Sequence, residues 1–380
     1  MGSITPTSEW GHGKGLSSGQ MEPIYDLLTP YDKIPKEIKG RTVWTKEELE
    51  KEPSRWIRTF SAFEVNEIEA ATRSFEAQNL QLADVSRSTF PLPLLAASLS
   101  KVRDEVVNGI GFVVLRGLPV KNWTTRQASI VYLGIGSYFG PRLSQNGQGH
   151  VLGHIKDLSE GKEVDGGGRI YRTHNAQTYH TDEADIVGLL CLEKAMSGGE
   201  SQVVSSHHIF NTLQKRRPDI VEQLCIPQWF YDRKGEKSEG QEEWMRTPGY
   251  YYYADKLSMK WDSYYDGALQ RFWERGMLPL YTEKQQEVLR VVENLCHELS
   301  MEMTLQVGDI QLVANTHNLH ARSAYLDDNN RGKKRWLQRL WIATPEEQGG
   351  WKLPFADSAY CRRGGVQVND APESYPMEAE

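Results

Sequence analysis

The chain has 380 residues, 39% of them hydrophobic and 25% charged, which is typical of a globular protein. This length allows one large domain or two to three smaller ones. The net charge is -7 and the sequence has no long basic run. We therefore expect no nucleic-acid partner, because proteins that bind nucleic acids cluster positive charge.

The sequence also favours a cytoplasmic protein without a membrane partner. The longest apolar run, Ile186 to Leu192, is too short to span a bilayer, and the first residues show no signal-peptide pattern. The four cysteines are widely spaced without a CxxC pair, which favours a reducing compartment over a disulfide framework or a cysteine zinc site. The oligomeric state stays open, a homo-oligomer included.

Composition divides the chain into three parts. Residues 1–40 are rich in Gly, Ser, Pro and charge, which predicts a flexible leader lying over the surface. A single domain is expected at 41–345, followed by a polar tail at 346–380. Within the domain, residues 207–280 mix helical patterns with aromatic residues such as Tyr250–Tyr253. We interpret this stretch as an insertion that packs over the domain as part of a lid.

Local patterns predict the elements of the domain in chain order. Thr45 and Ser61 are candidate N-caps of two short helices, and helices are also expected at 92–109 and 124–139. Loops rich in Gly, Asn and Gln follow at 140–180, as at the mouth of a site. A long capped helix is predicted from Thr282 to Leu299. Strands are expected at 111–117, 186–192, 201–206, 310–314 and 335–343.

The most informative stretch is His180-Thr181-Asp182. Side chains alternate along a strand, so this imidazole and this carboxylate can point to the same side. They would supply two ligands of the facial triad that binds iron(II) and leaves other coordination positions open. A capping histidine and a turn aspartate remain the alternative for an isolated HxD pair.

A third ligand would come from His317 or His320. Three residues apart on an extended backbone, they face opposite ways, so we expect only one to share the pocket of the HxD pair. We favour His320, which lies just before a predicted strand exit, and expect His317 to hydrogen-bond a loop. The sequence pattern also leaves open that neither His317 nor His320 binds a metal.

Two arginines, Arg335 and Arg339, lie on one face of the last predicted strand. A guanidinium inside a sheet is costly unless it meets an anion, so this face indicates anionic ligands or buried partners. An arginine can hold the dicarboxylate 2-oxoglutarate bidentately, and Ser201 on a neighbouring strand is a candidate hydroxyl partner. An ion pair with Asp327 or Asp328 is the alternative.

Four motifs in one order resemble a known family. The runs YHTDEAD, GGESQVVSS, VGDIQLVANTHNLHAR and KRWLQRLWI are similar to those of the taurine dioxygenase family, the clavaminate synthase-like iron(II)/2-oxoglutarate oxygenases, and most resemble a fungal branch. The resemblance covers Trp44 to Pro345. It implies a mostly β fold with α-helices, built on a double-stranded β-helix (jelly-roll) core flanked by helices. It also implies an enzyme that uses iron(II), 2-oxoglutarate and O2.

The resemblance also implies roles for individual residues. By position, the three iron ligands fall on His180, Asp182 and His320. The arginine that binds the distal carboxylate of 2-oxoglutarate falls on Arg335, and its hydroxyl partner falls on Ser201.

The substrate side is less closely matched. Arg339 falls on the position that meets the anionic group of the substrate, Trp341 is expected to wall the pocket, and Gln145 and Asn146 belong to a site-facing loop. Ala176 stands where taurine-type members have an asparagine, which argues against taurine itself.

We therefore expect hydroxylation, desaturation or ring closure of a small organic substrate in secondary metabolism. Arg339 favours a carboxylate, such as an amino acid or a derivative. One alternative is the same chemistry on a larger secondary metabolite. A metal-dependent hydrolase with the same three ligands and Glu183 as the general base, and a redox-silent binding protein, are the others.

Overall fold

The computed structural model describes residues 22–159, 169–262, 265–328, 331–355 and 363–379. Residues 1–21 of the predicted leader and part of the predicted site-mouth loop lie outside the described residues. The helices are α1 (Lys46–Lys51), α2 (Ala62–Ala77), α3 (Ala96–Asn108), α4 (Thr125–Gly136), α5 (Ser206–Arg216), α6 (Pro218–Cys225), α7 (Tyr265–Glu274) and α8 (Glu283–Leu299). The strands are β1 (Ile57–Thr59), β2 (Phe112–Arg116), β3 (Arg142–Leu143), β4 (Leu152–Ile155), β5 (Gln177–His180), β6 (Ile186–Glu193), β7 (Ser197–Gly198), β8 (Ser201–Ser205), β9 (Trp229–Asp232), β10 (Trp244–Thr247), β11 (Tyr250–Tyr253), β12 (Lys256–Met259), β13 (Met301–Met303), β14 (Ile310–Ala314), β15 (Asn318–Arg322), β16 (Tyr325–Leu326) and β17 (Trp336–Ile342).

A larger sheet forms one half of the core, in the strand order β1-β2-β14-β6-β17-β3, with β4 also paired to β17. Helices α2, α3 and α4 cover its outer face, where Phe75, Leu99 and Ile130 pack against Leu312 and Leu340. The predicted caps hold this layer in place. Thr45 and Ser61 each accept a hydrogen bond from a backbone N–H in the first turn of α1 and α2, as predicted.

A smaller sheet, in the order β13-β8-β15-β5, forms the other half. Helices α5, α6 and α8 cover its outer face, where Phe210, Leu224 and Val292 pack with Val204 and Leu319. Thr282 caps α8 through the predicted capping box with Gln285.

The two sheets face each other across a shared apolar layer. Val187 and Val313 from the larger sheet belong to one buried cluster with Val203, Met301 and Met303 from the smaller sheet. Strands that alternate their side chains can bury both faces, one against helices and one against the facing sheet. The two-sheet core flanked by helices is the architecture that the sequence predicts.

Segments outside the two sheets also contribute to the packed structure. The predicted insertion contains the hairpins β9–β10 and β11–β12, and Tyr250 and Tyr251 of β11 are buried. Ile34, within the predicted leader, is buried in the cluster that includes α5 and α6. Phe355 of the predicted tail is buried with its ring against Tyr251. Among the described helices, none combines the length and apolar character needed to cross a membrane.

Candidate active site

The sheet register brings His180, Asp182 and His320 together. His180 ends β5 and pairs directly with His320 on the antiparallel strand β15. Asp182 follows two residues later, with its carboxylate oxygens 4.0 Å from His180 Nε2 and 3.6 Å from His320 Nε2. All three side chains are buried, and one candidate ligand atom from each lies within 4.8 Å of the others.

Hydrogen bonds leave these residues suited to a metal. The Nδ1–H of His180 donates to the Thr178 carbonyl at 2.8 Å, so Nε2 carries the lone pair, which accepts from the Gln177 amide at 2.9 Å. A metal ion at Nε2 would replace the Gln177 amide as the partner of this lone pair. Within the described residues, Asp182 Oδ2 and His320 Nδ1 have no hydrogen-bond partner. A buried carboxylate oxygen without a partner is costly, and a cation would satisfy it.

The protonation states support the same conclusion. Burial, reinforced by His320, lowers the pKa of His180 to about 4, so its imidazole is neutral. Burial acts to raise the pKa of Asp182, but Arg339 and His320 outweigh it and hold that pKa well below its usual range. A neutral imidazole and a carboxylate are donors that suit iron(II).

Two cavities meet at this cluster. The smaller one, about 30 Å³, is lined by Ser201, His320, Arg322 and Arg335 among others, together with apolar side chains. The larger one, about 160 Å³, shares Gln177, His180, Asp182 and Arg339 with the first.

Ser201 and Arg335, paired by the sequence analysis, line the smaller cavity together. The Ser201 hydroxyl donates to Gln311 Oε1 at 2.8 Å. Arg335 is buried over the ring of Tyr325, and a Cβ on Gly199 would lie 2.8 Å from its Nε. Gly199 has a φ of 77°, which glycine adopts readily, and its lack of a side chain leaves room for Arg335. The alternative of an Asp327 ion pair is not what forms, because Asp327 instead accepts from the Arg335 backbone N–H at 2.8 Å.

The larger cavity is lined by charges of both signs. Its cationic side chains are Arg169, Arg233, Lys234, Lys260 and Arg339. Its anionic side chains are Asp182, Glu183, Asp232, Glu236 and Asp262. Tyr171, Phe230, Tyr231 and Trp341 add aromatic surface.

Arg339 connects the two cavities. Its Nε donates to Gln145 Oε1 at 2.7 Å, and its Nη1 lies 3.6 Å from Asp182 Oδ1. The guanidinium lies over the rings of Tyr171 and Trp341, 4.7 and 5.0 Å from their centroids. Gln145 in turn donates to the Arg339 carbonyl at 2.9 Å, so this glutamine fixes the arginine beside the cluster.

A family model described as "Taurine catabolism dioxygenase TauD, TfdA family" matches residues 67–341 of this chain. The chain belongs to the TauD/TfdA family. The family predicted from the sequence is thereby confirmed, and the protein is an iron(II)- and 2-oxoglutarate-dependent oxygenase.

The similar proteins include two relatives by sequence and many solved structures. The FR-33289 synthase of Streptomyces rubellomurinus is 30% identical over 317 residues, which cover 81% of this chain and 91% of that protein. The taurine hydroxylase-like protein SAT17 of Stachybotrys chartarum is 29% identical over 348 residues, which cover 85% and 83%.

Two of the solved structures are an asparagine oxygenase complex with Fe(II), 3-hydroxyasparagine and succinate, and the oxygenase OrfP with Fe and alpha-ketoglutaric acid. The first has a TM-score of 0.61 at 17% identity and covers 77% of this chain and 95% of its own. The second has a TM-score of 0.57 at 14% identity and covers 79% and 99%. At these identities the likeness shows the fold, and the predicted jelly-roll is confirmed.

Membership of the TauD/TfdA family decides against the hydrolase and the binding-protein alternatives. Glu183, the base that a hydrolase would need, lines the larger cavity and accepts a short hydrogen bond from Lys260. Burial raises the pKa of Glu183 even though Lys260 acts to lower it.

Two predicted residues of this TauD family protein lie apart from the cluster. The Asn146 side chain accepts from the backbone N–H groups of Gln148 and His150 within its own loop, and it lines neither of the two cavities that meet at the cluster. His317 is buried elsewhere, stacked on Trp351 with ring centroids 5.0 Å apart. The structure therefore groups His320, and not His317, with the HxD pair.

One segment at the site was not anticipated, because the predicted tail carried no readable motif. Arg363 is buried and its Nε donates to Asp185 Oδ2 at 2.6 Å, three residues after the proposed ligand Asp182. The Gly365 N–H donates to the Glu183 carbonyl at 2.7 Å, and Val366 lines the larger cavity. This segment holds the loop that carries Asp182.

A second unanticipated residue, Arg322, lines the smaller cavity beside Ser201 and Arg335. Its place two residues after His320 on the same strand was a usable signal, because such residues share a face.

Proposed function

We propose that His180, Asp182 and His320 bind the iron(II) ion and that the enzyme oxidises a small substrate with charges of both signs. The observation that supports this best is the meeting of two cavities at His180 and Asp182. One is small, buried and cationic at Arg335, and the other is larger and lined by both charge signs. Such a pair suits a co-substrate and a substrate that must reach the same ion.

Arg335 and Ser201 are proposed to bind the distal carboxylate of 2-oxoglutarate. An arginine fork matches a carboxylate bidentately. The Ser201 hydroxyl would donate a further hydrogen bond by turning from Gln311 to the co-substrate. Val187 and Leu337 line the same cavity and offer apolar contacts to the methylene groups of the co-substrate. These side chains would orient 2-oxoglutarate with its 2-oxo acid end toward the proposed iron ligands.

When bound, iron(II) and 2-oxoglutarate supply the oxidising chemistry, in which O2 converts 2-oxoglutarate to succinate and CO2 and a substrate C–H bond is oxidised. The chain's own residues bind and orient the substrate and 2-oxoglutarate. Arg339 holds Asp182 as a carboxylate and is itself held by Gln145 and by the Tyr171 and Trp341 rings. Trp341 is thus proposed to wall the substrate cavity, as predicted.

A small carboxylate such as an amino acid or a derivative fits the larger cavity best. Five cationic and five anionic side chains line it. An apolar substrate would strip water from these groups without replacing its hydrogen bonds, which is costly. The balance of charges therefore weighs against a large apolar metabolite, and Arg339 is the proposed partner of the substrate carboxylate.

The predicted insertion at 207–280 is proposed to act as a lid. Residues between Phe230 and Glu236, together with Lys260, Asp262, Ala268 and Leu269, line the larger cavity on the side contributed by this segment. A cover of this kind excludes water from the reacting atoms.

Similar proteins support an amino acid as the substrate and a role in secondary metabolism. The asparagine oxygenase and OrfP were solved with hydroxylated amino acids. Similarity to the FR-33289 synthase supports a role in secondary metabolism. Free thiols at Cys191, Cys225 and Cys296 support the cytoplasm as the location.

Substrate-stimulated succinate release tests the proposed function. Amino acids and derivatives should stimulate release, while apolar compounds of similar size should not. The Arg339→Gln variant should raise the KM of the best substrate about 10-fold or more, because it removes a charge-assisted contact. The Arg73→Gln variant, at an exposed arginine on α2, is the control and should leave KM unchanged. Full activity of Arg339→Gln, or stimulation by apolar compounds alone, would contradict the substrate class.

A further inference from the structure

The smaller cavity contains a second buried guanidinium besides that of Arg335. We propose that Arg322 also binds the distal carboxylate of 2-oxoglutarate and makes the site selective for dicarboxylic over monocarboxylic 2-oxo acids. The inference rests on the proposed function, in which this cavity holds the co-substrate. It adds a residue that no motif of the sequence assigned.

The sheet register sets the position of Arg322. On β15 it lies two residues beyond His320, and its direct partner on β8 is Ser201. Directly opposed residues of neighbouring strands point to the same face. The side chain of Arg322 therefore lies beside the proposed hydroxyl partner of the co-substrate, and both line the smaller cavity.

The two guanidinium groups form a buried cationic pair. Those of Arg322 and Arg335 lie over the ring of Tyr325, at 4.8 and 5.1 Å from its centroid. Only 7% of Arg322 and 5% of Arg335 is exposed. In the described parts of the chain neither arginine forms an ion pair. Asp157 attracts Arg322, and Asp327 and Glu200 attract Arg335, only from a longer range.

Unsatisfied donors point to the missing partner. Arg322 Nε and Nη1 and Arg335 Nη1 are buried and have no hydrogen-bond partner among the described residues. Two like charges and three unpaired donors in one small cavity are energetically costly. A bound carboxylate would neutralise the charges and accept hydrogen bonds from the donors. A single carboxylate held by both arginines follows from this donor set.

Arg322 also has a structural contact that the test must separate. Its Nη2 donates to the carbonyls of Thr173 and Asn175, in the segment that leads into β5. A variant could therefore weaken binding of any ligand by disturbing His180. Comparing two ligands that differ only at the distal group removes this common effect, as in a double-mutant cycle.

The experiment measures the Kd of 2-oxoglutarate and of 2-oxovalerate by calorimetry on the full chain loaded with Mn(II). 2-Oxovalerate has the same carbon chain with a methyl group in place of the distal carboxylate. The wild type should prefer 2-oxoglutarate, and Arg322→Gln should reduce that preference about 10- to 100-fold, as expected for loss of a charge-assisted hydrogen bond. Arg322→Lys should reduce that preference less, because lysine keeps the positive charge and loses only the bidentate geometry of the guanidinium.

Arg331→Gln, at an arginine whose side chain is 78% exposed, removes the same charge and should leave the preference unchanged. If Arg322→Gln does not fold, Arg322→Lys decides on the same ratio. An unchanged preference, or an equal loss of affinity for both ligands, would overturn the role of Arg322. Failure of the wild type to bind 2-oxoglutarate at all would instead overturn the proposed function, and this inference with it.

Discussion

His180 and His320 lie directly opposite each other on β5 and β15, with ring centroids 4.2 Å apart. The pairing register of two strands, rather than a flexible loop, thus sets the distance between two proposed iron ligands. A slip of one residue would turn His320 to the opposite face of the sheet. Asp182 is fixed separately, because its backbone N–H donates to Asn315 Oδ1 at 3.0 Å.

Lys260 is expected to serve the substrate side alone. Only 2% of its side chain is exposed, and it pairs with Glu183 in the larger cavity. The Lys260→Met variant leaves Glu183 without this partner, so we expect the substrate KM to rise about 10-fold while the KM for 2-oxoglutarate is unchanged. Steady-state succinate release checks both values. Lys256→Met on β12 is the control, and an equal effect there would contradict the role of Lys260.

The Arg363–Asp185 pair is expected to stabilise the fold. Both side chains are buried, at 2% and 0% exposure. Arg363→Gln leaves a buried carboxylate unpaired, so the free energy of unfolding should fall by about 3 to 5 kcal/mol. Arg216→Gln, at an exposed pair with Glu298, should lower the free energy of unfolding far less, because solvent screens that pair. Urea unfolding measures the free energy of unfolding of both variants. Similar losses in the two would show that the buried pair stabilises the fold no more than the exposed one.

The elements around the site follow from local sequence patterns. The capping box of Thr282 and Gln285 fixes the start of α8, and the alternation along 335–343 gives the two faces of β17. The HxD spacing likewise predicts that His180 and Asp182 share a pocket, because a strand repeats every two residues. These features depend on residues that are close in the chain.

Contacts between distant residues could not be predicted in this way. Asp185 and Arg363 are separated by 178 positions, and Glu183 and Lys260 by 77. No local period links such pairs, and either carboxylate could equally have faced solvent. The fold alone brings them together, which is why the role of the C-terminal segment at the site had no signal in the sequence.

The buried His207 gives stability a pH dependence. Its ring lies 2.8 Å from both Thr42 Oγ1 and the Leu257 carbonyl, and burial lowers its pKa from 6.5 to about 4. The unfolded chain therefore binds this proton more readily. The stabilisation is complete above pH 6.5 and is lost as the pH falls through the folded-state pKa.

Wild type and His207→Gln should accordingly respond differently to acid. Between about pH 7.5 and about pH 5, the wild type should lose about 2 kcal/mol more unfolding free energy than His207→Gln, since only the wild type carries this proton linkage. Urea unfolding at both pH values measures the difference. Equal losses in the two proteins would show that His207 does not titrate with a lowered pKa.

Anaerobic titration with iron(II) and then 2-oxoglutarate tests the central claim most directly, through the visible charge-transfer band of the chelate. The wild type should develop the band, and His320→Ala should not, because one of its three proposed ligands is gone. His317→Gln should keep the band even if the loss of the Trp351 stack lowers its stability. A band that survives in His320→Ala and disappears in His317→Gln would contradict the account.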